Sequence, residues 1–288
     1  MKGILKRFIS FLLILVFIVT LSACSSKSEK AANQSNENTA ANTSQQTDDS
    51  LERIKKAGKI TIGIDDAFPP LEFRDEQNNL VGYDIDLARE AAKRLGVQVE
   101  WIPTDWNGVI LALNSGKFDI IWSGMSMTKE RAQQVDFSPA YLNESQVIVV
   151  RGDEESIKTK EDLKGKIVGT QLGSTSEEAA KTLEGIKELK KYSKFTEAFL
   201  DLANKRVDAI VVDELVGRYY MSKRPGQFKV LFPLVKEPVG IAFRKQDKAL
   251  REALTKVLKE MKDDGTMARI SQKWFGEDIS VFEEIKFE

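Results

Sequence analysis

The chain of 288 residues contains no histidine. That absence removes every Ser-His-Asp or Cys-His relay and the commonest zinc ligand. Cysteine occurs once, at Cys24, so neither an internal disulfide nor a thiolate cluster is available. No Gly-x4-Gly-Lys-Ser/Thr run exists to cradle a triphosphate, and Asp84 and Asp86 lack the glycine and glutamate of a calcium loop. No cofactor and no metal are therefore expected. Charge of neither sign is in excess: 43 Lys and Arg face 44 Asp and Glu, a net of −1. With no basic stripe interleaved with aromatics, nucleic acid is not an expected partner. What is present, 42% hydrophobic and 30% charged residues, is ordinary for a globular protein.

The N-terminus indicates where the protein works. Lys2, Lys6 and Arg7 precede an apolar run from Phe8 to Leu21, which is shorter than the roughly 20 residues that comfortably span a bilayer. This pattern reads as a secretory signal peptide over residues 1–23. Leu21-Ser22-Ala23-Cys24 is similar to a bacterial lipobox, in which the cysteine is acylated; palmitate or a related chain on Cys24 would anchor the protein outside the cytoplasm at the cell membrane. Loss of residues 1–23 takes three positive side chains and no acidic one, moving the formal charge from −1 to −4. Residues 24–50 are mostly Ser, Asn, Gln, Thr and Ala, cannot bury enough apolar surface to offset ordering entropy, and read as a disordered tether.

Beyond the tether the pattern is α/β. Ile60 to Ile64 alternates as a strand, Asp84 offers an N-cap, and Ile85, Ala88, Ala92 and Leu95 recur at helical spacing up to a stop at Gly96. A strand through Val97, Val99 and Trp101, a helix over Asp105 to Leu113 and a strand from Phe118 to Trp122 complete a β-α-β-α-β unit, which implies a helix-covered parallel sheet. A second unit begins at Lys166 to Thr170. It continues with a helix through EEAAKTL, a strand near Glu188 to Tyr192, a helix from Thr196 to Lys205, a strand from Val207 to Val212, and a helix from Asp213 or Glu214. Phe228 to Phe232 is extended until Pro233 and Pro238, VGIAFRK reads as a strand, and helices follow over Asp247 to Asp263 and Thr266 to Trp274.

Ligands of open α/β sheets sit beyond the carboxyl ends of strands. Ser123, Gly124 and Ser126 after one strand and Asp213 after another are then cleft candidates, unless they serve only as turn residues. Gly124-x-Ser126-x-Thr128 nearly spells a nucleophile turn, but the chain has no histidine, and Lys129 in a charged run should stay protonated. A small zwitterion is a better match. Arg131 offers a two-pronged donor for a carboxylate, and Gly173, Ser174 and Thr175 open a helix whose N–H groups favour an anion. Asp213, the Gly124 carbonyl and the Ser126 hydroxyl suit an ammonium. Phe68 and Trp106 either clamp a ligand stem or belong to the core. Asp65, Asp66 and Asp105 beside them make the pocket anionic if one points inward, or form a solvated rim if none does.

Six segments, IGIDDAFPPLEF, VGYDIDLAREAAKRLG, SGMSMTKERAQQVDFSPAY, VGTQLGST, RVDAIVVDE and ISQKWFG, resemble the polar amino-acid solute-binding proteins of ABC importers, family 3 of the bacterial extracellular solute-binding proteins. The resemblance runs from Leu51 to Gly276. It implies a two-lobed periplasmic-binding-protein-like fold, each lobe a helix-covered mostly parallel sheet with the ligand cleft between lobes. Strands crossing near Leu142 to Val147 and Lys236 to Gly240 would give lobe 1 residues 51–143 and 239–288, and lobe 2 residues 144–238. By the same resemblance, Arg131 with amides near Ser126 and Thr175 takes the α-carboxylate. Asp213, Gly124 and Ser126 take the α-ammonium, Phe68 and Trp106 form the walls, and Asp65 and Gln171 touch the side chain.

The implied protein is a monomer and not an enzyme, with a free amino acid and a membrane permease as partners. A basic amino acid, arginine or lysine, is expected as ligand because an aromatic clamp beside Asp65 and Asp66 suits a cation. Glutamine and cystine are the alternatives. The rival of another class is a dehydratase-type enzyme on the same fold, with Glu214 or Asp66 as general acid.

Overall fold

The computed structural model describes residues 48–287; the expected signal peptide, Cys24 and the tether up to residue 47 lie outside the described residues. A helix, Ser50–Ala57, begins at the last residue of the expected tether. It begins there because Ser50 is buried and its hydroxyl accepts from the Leu250 amide at 3.1 Å.

Two sheets organise the chain. The first runs, in spatial order, Gln98–Pro103, Lys59–Ile64, Ile120–Ile121, Ala242–Phe243 and Asp136–Phe137. Its first three strands are parallel and the Ala242–Phe243 strand is antiparallel to both neighbours. The second runs Glu188–Tyr192, Ile167–Gln171, Ala209–Asp213, Ala140–Arg151 and Phe228–Val239, with Ser280–Glu283 on the near end of the long Ala140–Arg151 strand. Its first three strands are again parallel, while the two 12-residue strands run antiparallel to each other, pairing Leu142 with Val239 and Arg151 with Phe228. Both sheets are thus mixed: each parallel unit expected from the β-α-β pattern is present, and returning chain adds antiparallel strands beside it.

Local physics explains the departures from the sequence expectations. Phe228–Val239 runs through both prolines because it is an edge strand, where a missing N–H costs no ladder bond; the register shifts at Pro233. The helix expected from Asp105 is only Val109–Asn114, since Gly108 precedes it in a left-handed conformation (φ 95°), leaving Trp106 in the turn. VGIAFRK contributes a strand of two residues, Ala242–Phe243, beyond which Arg244 donates to the carbonyls of Leu113 (3.1 Å) and Phe118 (2.6 Å) and pairs with Asp247. That buried arginine fixes the end of the segment carrying Trp106.

Asp84 is not an N-cap. The helix is Tyr83–Leu95 with Gly82 at its cap, and Asp84 points inward with no exposure. The helical spacing and the Gly96 stop hold, the amide of Gly96 closing on Ala92 and Lys93. Lys248–Asp263 buries Leu250, Leu254, Val257, Leu258 and Met261 against the Tyr83–Leu95 helix and is followed by Thr266–Phe275. Burying side chains of this size contributes about 1.5–3 kcal/mol each, which makes this stripe core and returns the C-terminal segment to the first sheet. Among the described residues no helix is long and apolar enough to cross a membrane.

Candidate functional site

Eleven of the residues singled out from the sequence line one pocket. The chain reaches it by ending strands there. Lys59–Ile64 delivers Asp65 and Phe68, Ile120–Ile121 delivers Ser123, Gly124 and Ser126, Ile167–Gln171 delivers Gln171 and Ser174, and Ala209–Asp213 delivers Asp213. Phe68 and Trp106 are both buried and both line the cavity, so they are core and wall at once. Gly124 has φ of 52°, and a Cβ there would stand 2.7 Å from the Phe68 ring and 2.8 Å from Leu71, so the loop needs glycine for its turn and for this approach.

One end of the cavity concentrates donors. Arg131 sits over the Trp106 ring at 5.6 Å and donates to the Ser126 carbonyl at 2.9 Å and, more weakly, to the Gly173 carbonyl at 3.4 Å. The Ser126 and Thr175 hydroxyls meet at 3.1 Å across the two sheet systems. The Gly173 amide, expected to be free for an anion, instead donates to Glu177 at 2.8 Å. Ser174 caps its helix by accepting from the Glu177 amide.

Opposite charge lies close by. Asp213 is buried and accepts from Gln146 Nε2 at 2.8 Å. Burial pushes its carboxyl up to about 7; the Gln146 bond and the Arg131 charge act the other way, and Glu237 adds to the rise. The Gln146 carboxamide also donates to Thr175 Oγ1 (3.2 Å) and Glu237 (3.1 Å) and accepts from Ser176. A side chain from the middle of the long Ala140–Arg151 strand therefore orients the acidic group.

Asp65 anchors the far end. Its Oδ2 accepts from Gln171 Nε2 at 2.6 Å, and its Oδ1 accepts from Lys194 Nζ at 2.7 Å and from the Ala67 amide at 3.0 Å. Asp66 pairs with Arg74 at 2.8 Å, and Asp105 is exposed. Of the three acids near the aromatics, only Asp65 lines the cavity.

Beneath the loop from Ser123 to Ser126 lie two buried acids. The Ser123 hydroxyl accepts from the Asp65 amide and donates to Glu72; Asp84 accepts from the Gly124 amide (2.8 Å) and the Tyr141 hydroxyl (2.7 Å). Burial, reinforced by Asp84, holds the Glu72 carboxyl well above the carboxylate range, and burial pushes Asp84 up to about 7. Among the described residues neither Glu72 Oε2 nor Asp84 Oδ1 meets a donor, so a proton held on Glu72 toward Asp84 lets the two buried acids share the site.

Opposed charges lining one pocket between two sheets narrow the choice of fold family, and the match is direct: residues 60–277 fit the bacterial extracellular solute-binding proteins, family 3. The chain belongs to that family. This is a family of solute-binding proteins, not of enzymes, which sets aside the dehydratase-type rival. The arginine-binding extracellular protein ArtP of Bacillus subtilis is 36% identical over 223 residues, 75% of this chain and 86% of the relative. The L-cystine-binding protein TcyA of the same organism is 32% identical over 284 residues, 96% of this chain and 100% of the relative. Among solved structures, an ancestral arginine-binding protein bound to arginine is 48% identical with a TM-score of 0.73, covering 76% of this chain and 99% of that one. An ancestral arginine-binding protein bound to glutamine, also 48% identical, matches with a TM-score of 0.74 and the same coverage. The two-lobed α/β fold expected from the sequence is shared with these structures.

Sequence reasoning missed Gln146, Lys194 and the Glu72–Asp84 pair in this solute-binding protein. A signal existed for Lys194, which follows the carboxyl end of the Glu188–Tyr192 strand just before the Phe195–Ala203 helix and there reaches Asp65 of the pocket lining. For Gln146 the signal is the polar run Asn143-Glu144-Ser145-Gln146, placed where a strand is expected to cross between lobes.

Proposed function

We propose that this protein captures a polar amino acid between its lobes and delivers it to the permease of an ABC importer, with a basic amino acid, arginine first, as the ligand. One observation carries the reading: Arg131 and Asp213, opposite in charge, line one pocket together with Ser126 and Thr175, whose hydroxyls meet at 3.1 Å. A zwitterion satisfies both groups at once. In this reading Arg131, Ser126 and Thr175 hold the α-carboxylate and Asp213, Gly124 and Ser126 the α-ammonium, with Ser123 and Ser174 shaping the floor. Phe68 and Trp106 enclose the stem, and Asp65 with Gln171 meets the side chain. That Asp65 attracts a cation is supported by Lys194, which fills the place a ligand guanidinium would take.

The hinge in this proposal lies in the two long strands, dividing lobe 1 (51–143 and 239–288) from lobe 2 (144–238), and ligand biases an open–closed equilibrium. Lipid on Cys24 holds the monomer at the outer face of the cell membrane, with the segment up to residue 50 as the tether. A second reading, glutamine, is favoured by the same Lys194, because an aspartate already paired asks for no further cation; cystine stands beside it through the relative TcyA.

A thermal-shift screen of the common amino acids and cystine tests the proposal. A ligand at 100 times its Kd stabilises the folded state by about 2.7 kcal/mol, which for a body of this size is a rise of roughly 5–10 °C. Arginine and lysine should give the largest rises. No shift with any amino acid would overturn the function, and a shift with glutamine or cystine alone would overturn the choice of ligand.

A further inference from the structure

We infer that Lys194 sets the charge selectivity of the cleft, as an internal cation that competes with a ligand's cationic side chain for Asp65. The inference rests on the proposed amino-acid function and deepens it. Asp65 is 2% exposed and leaves the Lys59–Ile64 strand of the first sheet; Lys194 follows the Glu188–Tyr192 strand of the second. Their charged atoms stand 2.7 Å apart, across the cleft, inside hydrogen-bond distance. Asp66 stands 3.9 Å from the same ammonium but is already engaged by Arg74 at 2.8 Å, so Asp65 is the partner that matters.

A carboxylate this buried needs a cation or several donors, and here the chain supplies both, from Lys194 and from Gln171 and the Ala67 amide. The two components differ in permanence. Gln171 is tied down, its Nε2 also donating to the Ser193 carbonyl at 3.0 Å. Lys194 ends a flexible four-carbon stem and retains 22% side-chain exposure, so its ammonium has a route to solvent. A ligand guanidinium or ammonium can therefore take the Asp65 contact only by displacing Lys194 outward, which offsets part of what the new pair contributes. A neutral side chain leaves Lys194 in place and meets the Gln171 amide. The discrimination between basic and neutral amino acids is then set by a residue of the second lobe, and not by Asp65 alone.

Titration calorimetry with arginine and glutamine, on the wild type and on Lys194→Gln and Lys194→Arg, tests the inference. Removal of the competing ammonium in Lys194→Gln should raise the arginine-over-glutamine affinity ratio about 10-fold or more, a change of roughly 1.4 kcal/mol. Lys194→Arg, which keeps a cation, should stay within about 3-fold of the wild-type ratio. A purely structural role would weaken both ligands together and leave the ratio unmoved. An unchanged ratio in Lys194→Gln, with both ligands still bound, overturns the inference and spares the proposed function. Failure of the wild type to bind either amino acid overturns both.

Discussion

Gln146 donates to Asp213 at 2.8 Å from the long Ala140–Arg151 strand, and among the described residues that bond is the one hydrogen bond a side chain gives this carboxyl. Burial outweighs it, so the acid is pushed up to about 7. A ligand ammonium requires the carboxylate. Below pH 7 binding must therefore expel a proton, and affinity should fall as pH drops, by at most tenfold per unit; above pH 7 it should level off. The expected Kd at pH 5.5 is about 10–30 times weaker than at pH 8. Asp213→Asn should bind poorly throughout and show little of this slope by calorimetry. A wild type with flat affinity from pH 5.5 to 8 would place the ammonium elsewhere.

Arg131 has a second expected consequence. Its guanidinium lies over the Trp106 ring and donates to the Ser126 and, more weakly, the Gly173 carbonyl, which leaves its remaining donors for an anion in the pocket. Truncating one partner of a buried charge pair costs roughly 2–5 kcal/mol, so Arg131→Ala should weaken binding about 100-fold or more. Near-native affinity in that variant would falsify the carboxylate assignment. Circular dichroism should be unchanged, because the guanidinium bonds no strand.

How much of this site the sequence discloses depends on where each side chain sits. Asp65, Ser123, Gln171 and Asp213 stand at or just beyond strand ends, where elementary topology puts ligands, and Leu250, Leu254 and Leu258 announce a helix by period alone. Gln146 closes the polar run Asn143-Glu144-Ser145-Gln146 just before the buried Val147 to Val150, and that run reads as a crossing segment, although the Gln146 amide orders Asp213, Thr175 and Ser176. Asp84 looks like a cap because short acids favour helix starts; its true partners, Gly124 and Tyr141, are 40 and 57 residues away, and no local rule reaches that far. Lys194 reads as a solvated charge before a helix until Asp65 is seen opposite. The missed residues share one property, a partner distant in sequence.

The buried pair under the binding loop should show itself in stability. Glu72 and Asp84 are both raised above their unfolded values, so the folded protein holds protons there that the unfolded chain has released. Such groups stabilise the fold below their unfolded values of 4.5 and 3.8, and the contribution is lost as pH rises through about 7 and beyond. Glu72→Gln keeps the shape, can donate to Asp84 without a titrating proton, and removes one such group. Its melting temperature should fall less than the wild type's between pH 6 and 8.5, the two curves diverging by up to about 1.4 kcal/mol per pH unit. Parallel curves would show that Glu72 titrates as an ordinary carboxylate.

Asp65 provides the sharpest test of ligand class. In Asp65→Asn the carboxamide still meets Gln171 and Lys194 sterically, but the charge that attracts a guanidinium is gone and the Lys194 ammonium, formerly neutralised at 2.7 Å, faces the ligand unpaired. Arginine then loses an attraction and meets a repulsion, whereas glutamine loses neither. The expected loss is about 30-fold or more for arginine, equivalent to roughly 2 kcal/mol, against a few-fold for glutamine. Equal losses for both would mean that the ligand's far end never reaches Asp65. The pair would then be read as a latch between lobes, closing the cleft whatever amino acid it holds.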